Sequence, residues 1–154
     1  MGFSDRRPAG PAILAGMAIL VSCTGNAPLV DTTLKFDGEV RTISTGDVTC
    51  TQIPDGPLII LVQDGAERSV RIVLHTRGRL VVERIGLRHH ELAGFVADPA
   101  EVDAVKVDDT YTVSGRMPPN EGETQWHRFE IVTTCPRYDA PPRPTPRFRP
   151  PPLN

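Results

Sequence analysis

The sequence predicts an all-β domain, an antiparallel sandwich or partly open barrel of about eight to ten short strands with at most one short helical turn. Three observations predict it. Short runs rich in Val, Ile and Thr recur between turn signals, several of these runs alternate apolar and polar residues, and the connections suit hairpins but are too short for helical crossovers.

In chain order, strands are expected near 33–36, 39–43, 47–53, 58–63, 69–76, 79–87, 92–96, 104–107, 110–117 and 125–134. The punctuation is Asp37-Gly38, Thr45-Gly46, Pro54-Asp55-Gly56-Pro57, Asp64-Gly65, Arg77-Gly78-Arg79 and Met117-Pro118-Pro119-Asn120, all turn formers. Val70, Ile72 and Leu74 share one parity, as do Tyr111, Val113, Gly115 and Met117, so each of these strands has one wet face. By contrast Pro57–Val62 is apolar throughout and reads as a strand covered on both faces. Asp98-Pro99-Ala100-Glu101 supplies an N-cap, a proline at the first helical position and a glutamate at the third, so a turn or two of helix is expected there.

A chain of 154 residues accommodates one ordinary domain. A net charge of −2 gives no general pull toward nucleic acid, and no such partner is expected. Residues 1–22 read as an export signal, with Arg6 and Arg7 ahead of an apolar run from Ala12 to Val21 that falls far short of the roughly 20 residues needed to span a bilayer. Its end, Leu20-Val21-Ser22-Cys23, looks like a bacterial lipobox, in which the cysteine receives a diacylglyceryl thioether and becomes the new N-terminus. The competing readings are an ordinary signal peptide with an incidental cysteine, and a start site placed too early. Asp5 before and Pro8-Ala9 after Arg6-Arg7 depart from the twin-arginine pattern, so general secretion is expected. Two or three acyl chains on one cysteine anchor durably, whereas a single chain binds marginally. The expected division is a lipoprotein signal peptide (1–22), a lipidated short linker (23–33), a β-domain (34–135) and a Pro/Arg-rich disordered tail (136–154).

Once Cys23 is acylated, Cys50 and Cys135 remain, an even number in an oxidising compartment. Cys50 shares parity with Val48, and Cys135 with Phe129 and Ile131, so both point inward and invite a disulfide; the alternative is two separate buried thiols. Neither has the CxxC spacing or adjacent histidine of a thiol catalyst.

Catalytic constellations are sparse. His89-His90-Glu91 reads as a solvated turn rather than a metal site, since adjacent strand residues face opposite ways and no second cluster completes a ligand set. His75 and His127 are isolated, and Asp108-Asp109, Asp98 and Asp103 read as loop carboxylates. There is no Gly-rich phosphate loop, no Gly-x-Ser-x-Gly elbow and no RNA-binding motif, so neither enzyme activity, cofactor nor metal is expected.

The tail carries eight prolines and four arginines in nineteen residues and favours a polyproline arm. It is either a passive spacer or a contact arm, with Arg143, Arg147 and Arg149 around Phe148 suited to anionic headgroups, cell-wall polymer or an aromatic groove. Residues 24–135 carry 11 Lys/Arg against 17 Asp/Glu, whereas 136–154 carry four Arg against one Asp.

The order FDG (36–38), VTC (48–50), RIGLRHHELAGFVAD (84–98), YTVSG (111–115) and FEIVTTC (129–135), framed by the cysteine pair, resembles the mycobacterial nineteen-kilodalton lipoprotein antigen family of LpqH/LppE type. The resemblance covers about 35–135 together with the lipobox. It implies an exported, acylated cell-envelope protein with an all-β domain and no established catalysis. Its lipidated end would be sensed by host Toll-like receptor 2, and the protein would act as an adhesin-like antigen. Cys23 matches the acylated cysteine of that pattern, and Cys50 and Cys135 match its remaining two. The partners implied are the membrane, through the acyl anchor, and a host receptor or envelope component. Two departures stand out. The family's long glycosylated Ser/Thr/Ala linker is here reduced to Thr24–Thr33, with Thr24, Thr32 and Thr33 as candidate O-glycan acceptors, and the Pro/Arg tail is added. An extended linker of that length would hold the domain within roughly 35 Å of the membrane. The alternative function is an envelope binding module carrying a lipid or other apolar ligand, which requires a cavity of at least a few hundred Å³.

Overall fold

The computed structural model describes residues 27–142. The export signal, Cys23, Thr24, Arg143, Arg147, Phe148 and Arg149 lie outside the described residues. Ten strands form: β1 Val30–Phe36, β2 Glu39–Thr45, β3 Val48–Gln52, β4 Leu58–Asp64, β5 Arg68–His75, β6 Val81–His89, β7 Leu92–Val96, β8 Val102–Val107, β9 Thr110–Met117 and β10 His127–Thr134. They build two antiparallel five-stranded sheets, β2-β1-β10-β9-β8 and β3-β4-β5-β6-β7, without closing into a barrel. The all-β expectation therefore holds, and every expected strand is present.

Local chemistry sets the turns. Asp37 and Gly38, at φ of 48° and 88°, form the two-residue turn between β1 and β2, a geometry that Asp-Gly adopts readily. The expected helix is a single 3-10 turn, Pro99–Glu101, capped by the Asp98 carboxylate, which accepts from the Ala100 amide at 2.9 Å. Glu101 braces the neighbouring strand, accepting from Arg116 Nε at 2.9 Å and Nη2 at 3.0 Å.

The core lies between the sheets. Leu34, Ile43, Val113 and Ile131 from the first face Leu58, Ile60, Val62, Ile72, Leu74 and Ile85 from the second, all at 0% exposure. Burial of such side chains contributes about 1.5–3 kcal/mol each. The ten strands, one continuous core and both bridging cysteines fall within residues 27–142, so that segment carries its own hydrophobic core and disulfide.

Three expectations need correction. The linker ends earlier than 33, because β1 begins at Val30 and pairs with β2 from its first residue. Thr32 is consequently fully buried, its hydroxyl 2.8 Å from that of Thr133, and is not accessible as an O-glycan acceptor; Thr33 is half-buried on the outer face, between Thr42 and Val132. The Pro57–Val62 run is not covered on both faces. Leu58, Ile60 and Val62 point into the core, whereas Ile59 and Leu61 lie half-buried on the outer side, where no third layer of strands exists among the described residues.

Gly115 shows why the YTVSG stretch ends as it does. It lies opposite Val102, and a Cβ added there would stand 2.1 Å from the Glu101 carbonyl oxygen and 3.0 Å from Val102 Cα. The 3-10 turn thus rests on bare β9 backbone. Gly115→Ala is expected to destabilise the domain by about 1–3 kcal/mol through this overlap, measured as a lowered urea midpoint with unchanged slope.

Candidate functional site

Cys50 sits on the inner face of β3 and Cys135 directly follows β10, so a bond between them joins the two sheets. The disulfide is formed, with Cα atoms 5.9 Å apart and the residues separated by 85 in sequence. Two free thiols are thereby ruled out.

The chain does not leave the domain at this bridge. Asp139 pairs in parallel with Thr51 at the edge of β3; the Asp139 amide donates to the Cys50 carbonyl at 2.8 Å, and the Gln52 amide donates to the Asp139 carbonyl at 3.0 Å. Tyr138 donates its hydroxyl to Asp109 Oδ1 at 3.0 Å and lies 3.1 Å from the Tyr111 hydroxyl, while Lys106 Nζ stands 5.5 Å from the centroid of both rings. Burial, then the bonds to Tyr111 and Asp109, push the Tyr138 hydroxyl above its ordinary value of 10.0, which keeps it a donor. The expected disordered tail from 136 is therefore corrected at its start: residues 136–139 form a strap, held by backbone pairing that a Pro/Arg-rich composition conceals.

A second polar cluster joins the β1–β2 turn to the β9–β10 loop. His127 Nδ1 lies 2.7 Å from Asp37 Oδ2, its Nε2 lies 2.7 Å from Glu123 Oε2, and its ring stacks on Phe36 at 5.0 Å. The Arg128 amide also donates to Asp37 Oδ1, at 2.8 Å. The bond to Asp37, then that to Glu123, raises the imidazole above 6.5, and the same contacts lower Asp37 below 3.8 and Glu123 below 4.5. Both ring nitrogens are thus occupied by carboxylates, and the protonated ring donates to each of them. His127, isolated in the sequence, is a brace between loops.

The other candidates also hold structural places. His90 sits at φ 56° in the β6–β7 turn with Nδ1 3.0 Å from Glu67 Oε2, and His89 meets its ring edge-on at 4.9 Å. A surface hollow of about 350 Å³ contains His89, His90 and Glu91 beside the Arg41 guanidinium, a setting hostile to a cation. His75 Nε2 stands 3.5 Å from Glu83 Oε2, and Asp103 lies 3.8 Å from Arg79. Asp98 caps the 3-10 turn, Asp108 occupies the β8–β9 turn at φ 51°, and Asp109 receives Tyr138. Among the described residues, no group of three or more His, Cys, Asp or Glu side chains is placed to hold a metal ion.

Bridge, strap and histidine brace all fasten strand edges and turns to a filled core, which defines a small, disulfide-clamped β-sandwich. Residues 25–135 match the model of the Mycobacterium 19 kDa lipoprotein antigen, and the chain belongs to that family. No curated protein sequence matches it. The family is one of antigens rather than a known enzyme family and suggests a cell-envelope location. Among the described residues, no helix is long and apolar enough to cross a membrane.

Two outcomes are expected. Cys50→Ser opens a loop of 85 residues and should reduce stability by roughly 4–5 kcal/mol in the chain-entropy model, seen as a large fall in melting temperature with Cys135 newly reactive to a thiol reagent; an unchanged melting curve would contradict the clamp. For the brace, the raised imidazole stabilises fully below 6.5 and loses its contribution as pH rises through its folded value, whereas the depressed carboxylates stabilise above about 4.5 and lose theirs on acidification. The stability advantage over His127→Gln should therefore peak between about pH 4.5 and 6.5 and shrink toward alkaline pH, with the His127 ring titrating above 6.5 by NMR.

Proposed function

We propose that this protein is an acylated envelope lipoprotein without enzymatic activity, tethered through Cys23 and presenting its clamped β-domain as a surface antigen. The family match from residue 25 to 135 carries this reading, because the lipobox-like Leu20-Val21-Ser22-Cys23 stands directly ahead of it. Acyl chains on one cysteine provide the durable anchor, and each buried methylene adds about 0.8 kcal/mol of membrane affinity. In this reading the acylated N-terminus is the part sensed by host Toll-like receptor 2. The folded domain is the antigenic body, and the residues beyond Pro142 form a basic arm or spacer.

The absence of a catalytic role is supported by how the titratable groups are used: His127, Asp37, Asp98 and Asp109 are each spent on a turn, cap or strap. A carrier of apolar ligands would need open space between the sheets. That region is occupied by Leu34, Ile43, Ile60, Ile72, Ile85 and Ile131 at 0% exposure, which favours the antigen reading.

The test is peptide mass spectrometry on protein recovered from a mycobacterial membrane fraction, beside a Cys23→Ala control. An N-terminal peptide starting at Cys23 with acyl mass, lost in the control, is expected. An unacylated peptide starting elsewhere would make the protein a secreted domain and remove the anchor from the proposal.

A further inference from the structure

The second sheet has an outer face with an unusual charge pattern for this domain. On β6, Arg84 and Arg88 stand two residues either side of Gly86, which lies opposite Arg71 on β5 and opposite Phe95 on β7. Residues two apart on a strand point the same way at about 7 Å separation, so three arginine stems surround one ring. A Cβ at Gly86 would meet the Phe95 ring at 3.8 Å, which places the ring against that bare backbone. Phe95 is nonetheless 55% exposed, and all three arginines are exposed. Beside them Ile59, Leu61 and Val73 continue the face as an aliphatic floor.

Charge compensation is incomplete here. Arg84 is paired with Glu83, whereas Arg71 and Arg88 have no ion-pair partner among the described residues. Residues 24–135 as a whole carry 17 acidic side chains against 11 basic ones. An anionic surface would therefore repel most of the domain and attract this face.

We propose that the outer face of the second sheet, centred on Arg71, Arg84, Arg88 and Phe95, is a docking surface for an anionic lipid bilayer. The face belongs to a sheet rather than a cleft, which suits an extended planar partner. Arginine side chains pair with phosphate in bidentate fashion, and an exposed phenyl ring gains from the boundary between headgroups and acyl chains, which a water-soluble polyanion does not offer. The tether deepens this argument and rests on the anchor proposed above. Only residues 24–29 separate Cys23 from β1, so the strand would begin within about 25 Å of the acylated residue. Docking would then fix the orientation of a domain that the anchor alone leaves free to swing.

The test uses residues 27–142, which contain the ten strands, the core and the disulfide but neither Cys23 nor the basic tail beyond Pro142, in co-sedimentation with vesicles. Vesicles of phosphatidylglycerol in phosphatidylcholine should retain the domain, with retention falling as salt rises, and vesicles of phosphatidylcholine alone should not. Arg71→Glu combined with Arg88→Glu should weaken partitioning by at least about tenfold. Phe95→Ser should also weaken it, and Arg79→Glu, on a turn away from the face, should not; each variant's melting curve verifies that it remains folded. Failure to bind anionic vesicles, equal retention on neutral ones, or unchanged binding by the double reversal would overturn the proposal. Loss on arginine reversal with no effect of Phe95→Ser would assign the face to a soluble polyanion and overturn the bilayer reading. Because Cys23 is absent from this segment, failure here would leave the anchor untouched, and mass spectrometry at Cys23 decides that question separately.

Discussion

The two sheets share no hydrogen-bonded ladder, so the fold depends on how their inner faces are held together. Apolar side chains supply most of that cohesion, but their attraction is non-directional and does not select one alignment of the sheets. Directional bonds do so at the margins. The Cys50–Cys135 bond fixes β3 to the end of β10, and the Thr45 hydroxyl donates to the Gln63 carbonyl at 2.7 Å, where the chain passes from β2 into the other sheet. The strap then completes the bridged edge, with Asp139 taking the backbone groups of β3 next to the disulfide.

Polar groups in the interior act in the same sense. Thr32 and Thr133 are buried on neighbouring strands and satisfy one another at 2.8 Å, and among the described residues no buried side-chain nitrogen or oxygen lacks a partner. Separating such a pair would leave hydroxyls unsatisfied at about 1–3 kcal/mol each. A slip of one residue between β1 and β10 would do this and also turn either Leu34 or Ile131 toward water, so the hydroxyl pair and its apolar neighbours specify one register.

Much of this architecture was legible in the sequence, because alternation marks a half-wet strand and Asp-Gly or Pro marks its end. The inward parity of Cys50 and Cys135 was readable for the same reason. The Pro57–Val62 run misled because apolar residues on an outer face look the same as a second buried face until the number of layers is known. Thr32 passed for linker because a Ser/Thr-containing stretch beside an anchor resembles a spacer, although threonine is also a favoured strand residue. Tyr138 was hidden by the prolines and arginines around it, and the local composition outweighed one anchoring ring. The neighbours of His127 come from residues 37 and 123, and the cationic face from three strands, so neither becomes visible until pairing is known.

The strand order also carries a schedule. The second sheet, β3 through β7, is an uninterrupted meander in which each strand pairs with the next, so its contacts close over short stretches of chain. The first sheet is different: β1, the first strand among the described residues, occupies an interior position between β2 and β10, the last of them. Leu34 meets Ile131 only after nearly the whole domain exists. Local contacts form faster than those that close long loops, so the meander is ready first and the β1–β2 hairpin waits with one edge bare. The arrival of β10 fills that edge and brings Cys135 to Cys50, making sheet completion and covalent locking a single late event in folding.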